Sequence, residues 1–212
     1  MKSVSYDPEE IRRRSYRHIR ENLPVNGRDP AQQSVAESVV HTSGDFGLAD
    51  HLSFSDDPIP SALNSRPEAT IVTDVGMVRQ GIRASLLDRW GAETFSYVHD
   101  DETHKRANED NLTRSAAGLD VALDQHESFW LVVGNAPTTL ARLIECHQNG
   151  TSLRERIPIV IGAPVGFVAV RETKSALESS GFPSITIQGT RGGSPLAATI
   201  TNTLLNWEPN DE

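Results

Sequence analysis

The sequence predicts an α/β protein of three layers, α/β/α, with a mainly parallel sheet of about five strands, preceded by two N-terminal helices. Three observations lead there. Short runs that are apolar on both faces recur at Ala69 to Thr73, Thr94 to Val98, Phe129 to Val133, Pro158 to Ile161 and Ser184 to Gln188. Helical stretches separate the later runs, near Asn111 to Gln125, Pro137 to Gln148, Arg171 to Ser180 and Pro195 to Asn206. Three runs end in Gly-rich turns that lead towards those helices.

The N-terminal helices are marked by their starts. Asp7-Pro8-Glu9-Glu10 offers an N-cap, a proline at the first helical position and an acidic residue at the third, and Asp29-Pro30-Ala31-Gln32 repeats the device. With the apolar spacing of Ile11 and Ile19, and of Val35 and Val39, they predict helices over Pro8 to Asn22 and Pro30 to His41. Ser15 falls on the Ile11–Ile19 face, where a hydroxyl either bonds back to a carbonyl one turn earlier or meets a ligand. His41 then stands at a helix end, ahead of Thr42, Ser43, Gly44 and Asp45. The stretch Ser53 to Ser65, rich in Ser, Asp and Pro, reads as a loop.

A chain of 212 residues, 37% hydrophobic and 23% charged, is long enough for one sizeable core, so residues 1–212 are expected to form a single domain with a short disordered acidic tail over 207–212. The net charge of -9, with Arg12-Arg13-Arg14 as the only basic run, argues against a nucleic-acid partner. No apolar run approaches the roughly 18 residues of a membrane span, and MKSVSYDPEE is too polar for a signal peptide. A cytoplasmic protein without membrane contact is expected. Cys146 is the sole cysteine, the histidines form no HExxH pair, and His41 with His51 has no metal-ligating pattern, so no protein-bound metal is expected.

The turns Gly134 to Pro137, Gly162 to Phe167 and Gly189 to Pro195 follow successive strands. In open α/β sheets ligands collect beyond the carboxyl ends of the strands, where helix N-termini favour anions. None of the three is a GxGxxG or Walker A sequence, and no GxSxG occurs, so a nucleotide-using enzyme or a serine nucleophile has no motif behind it. Asp74, after Ile71-Val72-Thr73, either orients a substrate or caps a helix. Arg114 sits early in a helix, where the dipole disfavours a cation; either an anionic ligand lies nearby or the side chain is simply solvated.

Gly134-Asn135-Ala136-Pro137-Thr138-Thr139-Leu140, Gly162 to Val168 followed by Glu172-Thr173-Lys174, and Arg191-Gly192-Gly193-Ser194 together resemble the precorrin-8X (cobalt-precorrin-8) methylmutase family of cobalamin biosynthesis. The resemblance continues through Thr73 to Val78, Asn111 to Ala116, Arg14-Ser15-Tyr16 and Val39 to Gly44. It implies an isomerase that moves a methyl group from ring carbon 11 to ring carbon 12 of a corrin precursor, giving hydrogenobyrinate or cobyrinate. It implies no external cofactor, a tetrapyrrole substrate that itself carries any cobalt, and a homodimer. It places the catalytic histidine on His41 and substrate contacts on Ser15, Asp74, Met77, Arg114, Asn135, Arg191, Gly192 and Gly193. Imidazole exchanges protons near neutral pH, which suits a donor to the macrocycle. The alternative is a non-catalytic corrinoid carrier, which needs the same cavity but no acid at His41.

Overall fold

The computed structural model describes residues 6–150 and 152–209. In chain order the elements are α1 (Pro8–Asn22), α2 (Pro30–Ser43), a 3-10 helix (Phe46–His51), β1 (Leu52–Ser55), α3 (Pro58–Asn64), β2 (Thr70–Thr73), α4 (Gly76–Gly81), α5 (Ala84–Trp90) and β3 (Glu93–Phe95). There follow α6 (Asp101–Glu109), α7 (Arg114–Gln125), β4 (Trp130–Val133), α8 (Pro137–Gln148), β5 (Val160–Gly162), α9 (Val170–Glu178), β6 (Ser184–Ile187) and α10 (Ser194–Asn206).

The sheet has six strands in the order β1-β6-β5-β4-β2-β3. The five expected from the sequence are mutually parallel, and the sixth, β1, pairs antiparallel with β6 from Leu52↔Ile187 to Ser55↔Ser184. Both β1 and α3 lie where the composition suggested a loop. All four β1 residues are half-buried, with only Leu52 and Phe54 apolar, so an edge strand completed by β6 leaves little periodic signal.

Period-two alternation divides the core between the two faces of the sheet. Ile71, Trp130, Val132, Ile161 and Ile185 face one layer, with Val35 and Val39 of α2, Ile59 of α3, Val78 of α4, Leu86 of α5 and Ile200 of α10. Val72, Leu131, Val133 and Val160 face the other, with Leu119 of α7, Leu140 and Leu143 of α8 and Leu177 of α9. Burying one such leucine is worth about 2 kcal/mol, so the alternation fixes register as well as layer.

The helix caps form as the sequence suggested. Asp7 accepts the Glu9 amide at 3.0 Å, and Asp29 and Gln32 complete a reciprocal capping box, Asp29 Oδ1 accepting the Gln32 amide at 2.8 Å. Two local expectations change. Ile11 is 46% exposed, since α1 packs on α2 mainly through Ile19. Helix α2 runs past His41 to Ser43 and stops at Gly44, whose φ of 68° is the left-handed turn glycine adopts freely. Of the expected tail, residues 210–212 lie outside the described set. Trp207 is packed against the core, its carbonyl accepting Arg66 Nη1 at 2.6 Å, and Glu208 pairs with Arg89 at 2.5 Å. Among the described residues no helix is long and apolar enough to cross a membrane.

Candidate active site

The strands that flank β2 are β3 and β4, so the chain reverses its direction of travel across the sheet at the carboxyl end of β2. Such a switch point is the usual ligand crevice of an open α/β sheet. Here the chain fills it with its own carboxylate. Asp74 is only 4% exposed; its Oδ1 accepts the Gly134 amide at 3.0 Å, and its Oδ2 accepts the amides of Asn135 and Ala136 at 2.8 and 2.7 Å. Burial pushes its carboxyl above the ordinary value while these amides oppose the shift. Of the two roles open from the sequence, the geometry is that of a cap, made across strands to the start of α8 rather than to the helix that follows β2.

The cleft that His41 lines lies elsewhere. A cleft of about 610 Å³ opens between α1, α2 and α10, lined by His41, Tyr16, Arg12, Arg20, Arg83 and Asn202 among others. His41 is exposed on the last turn of α2, and its imidazole lies 4.8 Å from the Tyr16 ring at a 33° tilt. The Arg12 and Arg20 guanidiniums approach the same Tyr16 ring at 5.6 and 5.9 Å. Three arginines and two glutamates, Glu37 and Glu208, line this cleft, and Arg20 pairs with Glu37 at 2.9 Å. Ser43 bonds back to the Val39 carbonyl at 2.8 Å, and Thr42 meets Thr199 of α10 at 2.9 Å, which together fix the helix end carrying His41.

Past His41, Asp45 Oδ2 pairs with Arg191 Nη1 at 2.9 Å, joining the end of α2 to the loop between β6 and α10. That loop is locked to the one after β5: the Gly193 amide donates to Ala163 O at 2.8 Å, and the Gly166 amide to Thr190 O at 3.1 Å. Gly192, at φ 154°, runs so close to the neighbouring loop that a Cβ there would lie 2.3 Å from Ala163 O. These glycines therefore bring Arg191 into reach of the His41 end through backbone geometry.

Of the residues singled out in the sequence, His41 alone lines the cleft. Ser15 stands next to Tyr16 but directs its hydroxyl to Ile11 O at 3.0 Å, the back-bonded alternative. Met77 is 70% exposed at the start of α4, and Arg114 and Asn135 are exposed at the starts of α7 and of the turn into α8. Those two starts adjoin, since Thr113 and Thr138 hydroxyls meet at 2.7 Å. Sequence reasoning gave no role to Tyr16, although it lies one residue from Ser15, nor to the buried Lys174. A lysine on the i, i+3, i+4, i+7 stripe of Val170, Thr173, Lys174 and Leu177 was the available signal. Among the described residues no group of three or more His, Cys, Asp or Glu side chains is placed to hold a metal ion.

A family model described as precorrin-8X methylmutase matches residues 10–207. The chain belongs to the precorrin-8X methylmutase family. It is 38% identical over 190 residues to the cobalt-precorrin-8 methylmutase of Salmonella typhimurium, covering 88% of this chain and 87% of that one. It is 32% identical over 203 residues to the precorrin-8X methylmutase of Pseudomonas aeruginosa, covering 93% and 95%. The crystal structure of a precorrin-8X methylmutase from Thermus thermophilus superposes with a TM-score of 0.83 at 29% identity, over 93% of this chain and 94% of that one. Membership in this family carries the fold and the class of enzyme, an isomerase.

Proposed function

We propose that this chain moves a methyl group from ring carbon 11 to ring carbon 12 of precorrin-8X, or of its cobalt-containing form, with His41 as the proton donor. The observation that carries the reading is the placement of His41: an exposed imidazole at a fixed helix end, opening on a cleft whose lining includes Tyr16, Arg12 and Arg83. The rearrangement is internal to the substrate. One carbon–carbon bond breaks, another forms, and no atom is gained or lost, so the protein's work is to hold the macrocycle and supply one positioned acid. A proton or hydrogen bond given to the conjugated ring makes it electron-poor beside the migrating methyl. Arg191, and Arg114 further along the sheet edge, suit the acetate and propionate groups of such a substrate.

Three further parts belong to the same reading: no external cofactor, a homodimer and a cytoplasmic setting. Relatives bear both the cobalt and the cobalt-free name, so both substrate forms belong in the test. Absorption-monitored conversion of precorrin-8X, with and without cobalt, decides it. Wild type converts, and His41→Ala binds the corrinoid without converting it. If neither protein converts while both bind, a carrier replaces the enzyme. Sedimentation of the same preparation measures whether it is a dimer.

A further inference from the structure

Lys174 is 1% exposed and fully enclosed between α9 and the sheet. A buried ammonium usually has a carboxylate in hydrogen-bond contact. This one donates instead to two backbone carbonyls, Gly189 O at 3.1 Å and Arg191 O at 2.7 Å. The charge of Glu178, one turn further along α9, acts on it, but the Glu178 oxygens take the Thr186 hydroxyl and Gln188 Nε2. An apolar side chain would fill the same space without burying a charge. What the lysine adds is a hold on the loop from 189 to 191.

That loop needs holding. Gly189, Gly192 and Gly193 all have positive φ, at 77°, 154° and 122°, so its own local preferences define its path poorly. On one side of Arg191 the path is set by the Gly193 amide bonded to Ala163 O. On the other it is set by Lys174 together with the Gly166 amide bonded to Thr190 O. Between these two fixings the Arg191 guanidinium reaches Asp45, four residues beyond His41.

We propose that Lys174 is a positioning residue for substrate binding: by gripping the carbonyls of Gly189 and Arg191 it holds the Arg191 guanidinium on Asp45, past the helix end that carries His41, where its remaining N–H groups meet a substrate carboxylate. This rests on the methylmutase reading given above. Lys174 touches no substrate and acts through Arg191 alone.

Steady-state conversion of precorrin-8X by wild type, Lys174→Met, Arg191→Ala and the double variant tests it. Lys174→Met raises KM about tenfold, as loss of one charge-assisted contact does, with kcat changed by less than about threefold. Arg191→Ala raises KM similarly, and the double variant is no worse than Arg191→Ala alone, because both changes remove one contact. Should Lys174→Met fail to fold, Lys174→Gln, which keeps an N–H donor, gives an intermediate KM. A wild-type KM in either lysine variant, with KM raised in Arg191→Ala, overturns the lysine's role and leaves the site standing. Effects that multiply in the double variant overturn it as well. A wild type that converts nothing removes the methylmutase reading and this inference together.

Discussion

The carboxylate of Asp74, at the end of β2, accepts the backbone amide of Ala136 at 2.7 Å, tying a strand end to the start of a helix 62 residues later. Two further amides, Gly134 and Asn135, converge on the same group. Removing it leaves three donors unpaired at a buried position. Asp74→Ala is therefore expected to lose about 3 kcal/mol or more of unfolding free energy, read as a lower urea midpoint at unchanged slope. Asp74→Asn, which keeps one acceptor oxygen but sets an amide donor against these N–H groups, loses less. A variant that keeps its midpoint and loses corrinoid affinity would return Asp74 to substrate contact.

Gly192→Ala is expected to fold poorly. Its φ of 154° is strained for alanine, and the new Cβ would meet backbone oxygens at 2.3 and 2.7 Å, Ala163 O and Pro164 O, which cannot rotate away as a side chain would. The cost is about 2–4 kcal/mol, together with weaker substrate binding as the Arg191 loop shifts. Gly76→Ala is the matched control: a Cβ there meets nothing within 4 Å, and thermal stability should change by less than about 0.5 kcal/mol.

The parallel strands were legible because burial on both faces demands unbroken apolar runs, and β4 and β5 are buried along their whole length. Helix α6, by contrast, buries only Thr103 and Ala107 of its nine residues, DETHKRANE, so no apolar stripe announces it. Helices α4 and α5, with six and seven residues, are too short to show a period. At the site, His41 and the glycine turns were visible as local sequence. The partners of Asp74 were not, since they lie in the turn after the neighbouring strand β4, some 60 residues along the chain. Nor was the Arg191–Asp45 contact, because the two residues meet only once β1 has paired with β6.

Tyr16 is expected to matter for turnover more than for affinity. Its ring lies 4.8 Å from the His41 imidazole and restricts where that exposed side chain can point. Tyr16→Ala frees the imidazole and lowers kcat on the order of tenfold, with a smaller change in KM. Tyr16→Phe keeps the ring and loses only a long 3.4 Å contact to Ser38, so its kcat stays near wild type. Equal kcat values for Tyr16→Ala and wild type would separate the ring from catalysis.

Lys174 gives the chain a pH signature of definite sign. Burial brings its amine from 10.5 down to about 8, with Glu178 opposing the shift. Below about 8 the group is charged in both the folded and the unfolded chain, and the folded state carries the full cost of burying it. Between about 8 and 10.5 the folded chain releases its proton while the unfolded chain keeps it, so this group adds stability as pH rises. The neutral amine still has two N–H bonds, enough for the carbonyls of Gly189 and Arg191. Denaturation of wild type and Lys174→Met in parallel isolates the effect, because the titrations of other groups cancel in the difference. From about pH 7 to about pH 9.5 the difference should move in favour of wild type by about 2 kcal/mol. A difference that stays flat means an ordinary lysine titration in the folded state, and one that moves the other way means that the ammonium, not the amine, is the form the fold prefers.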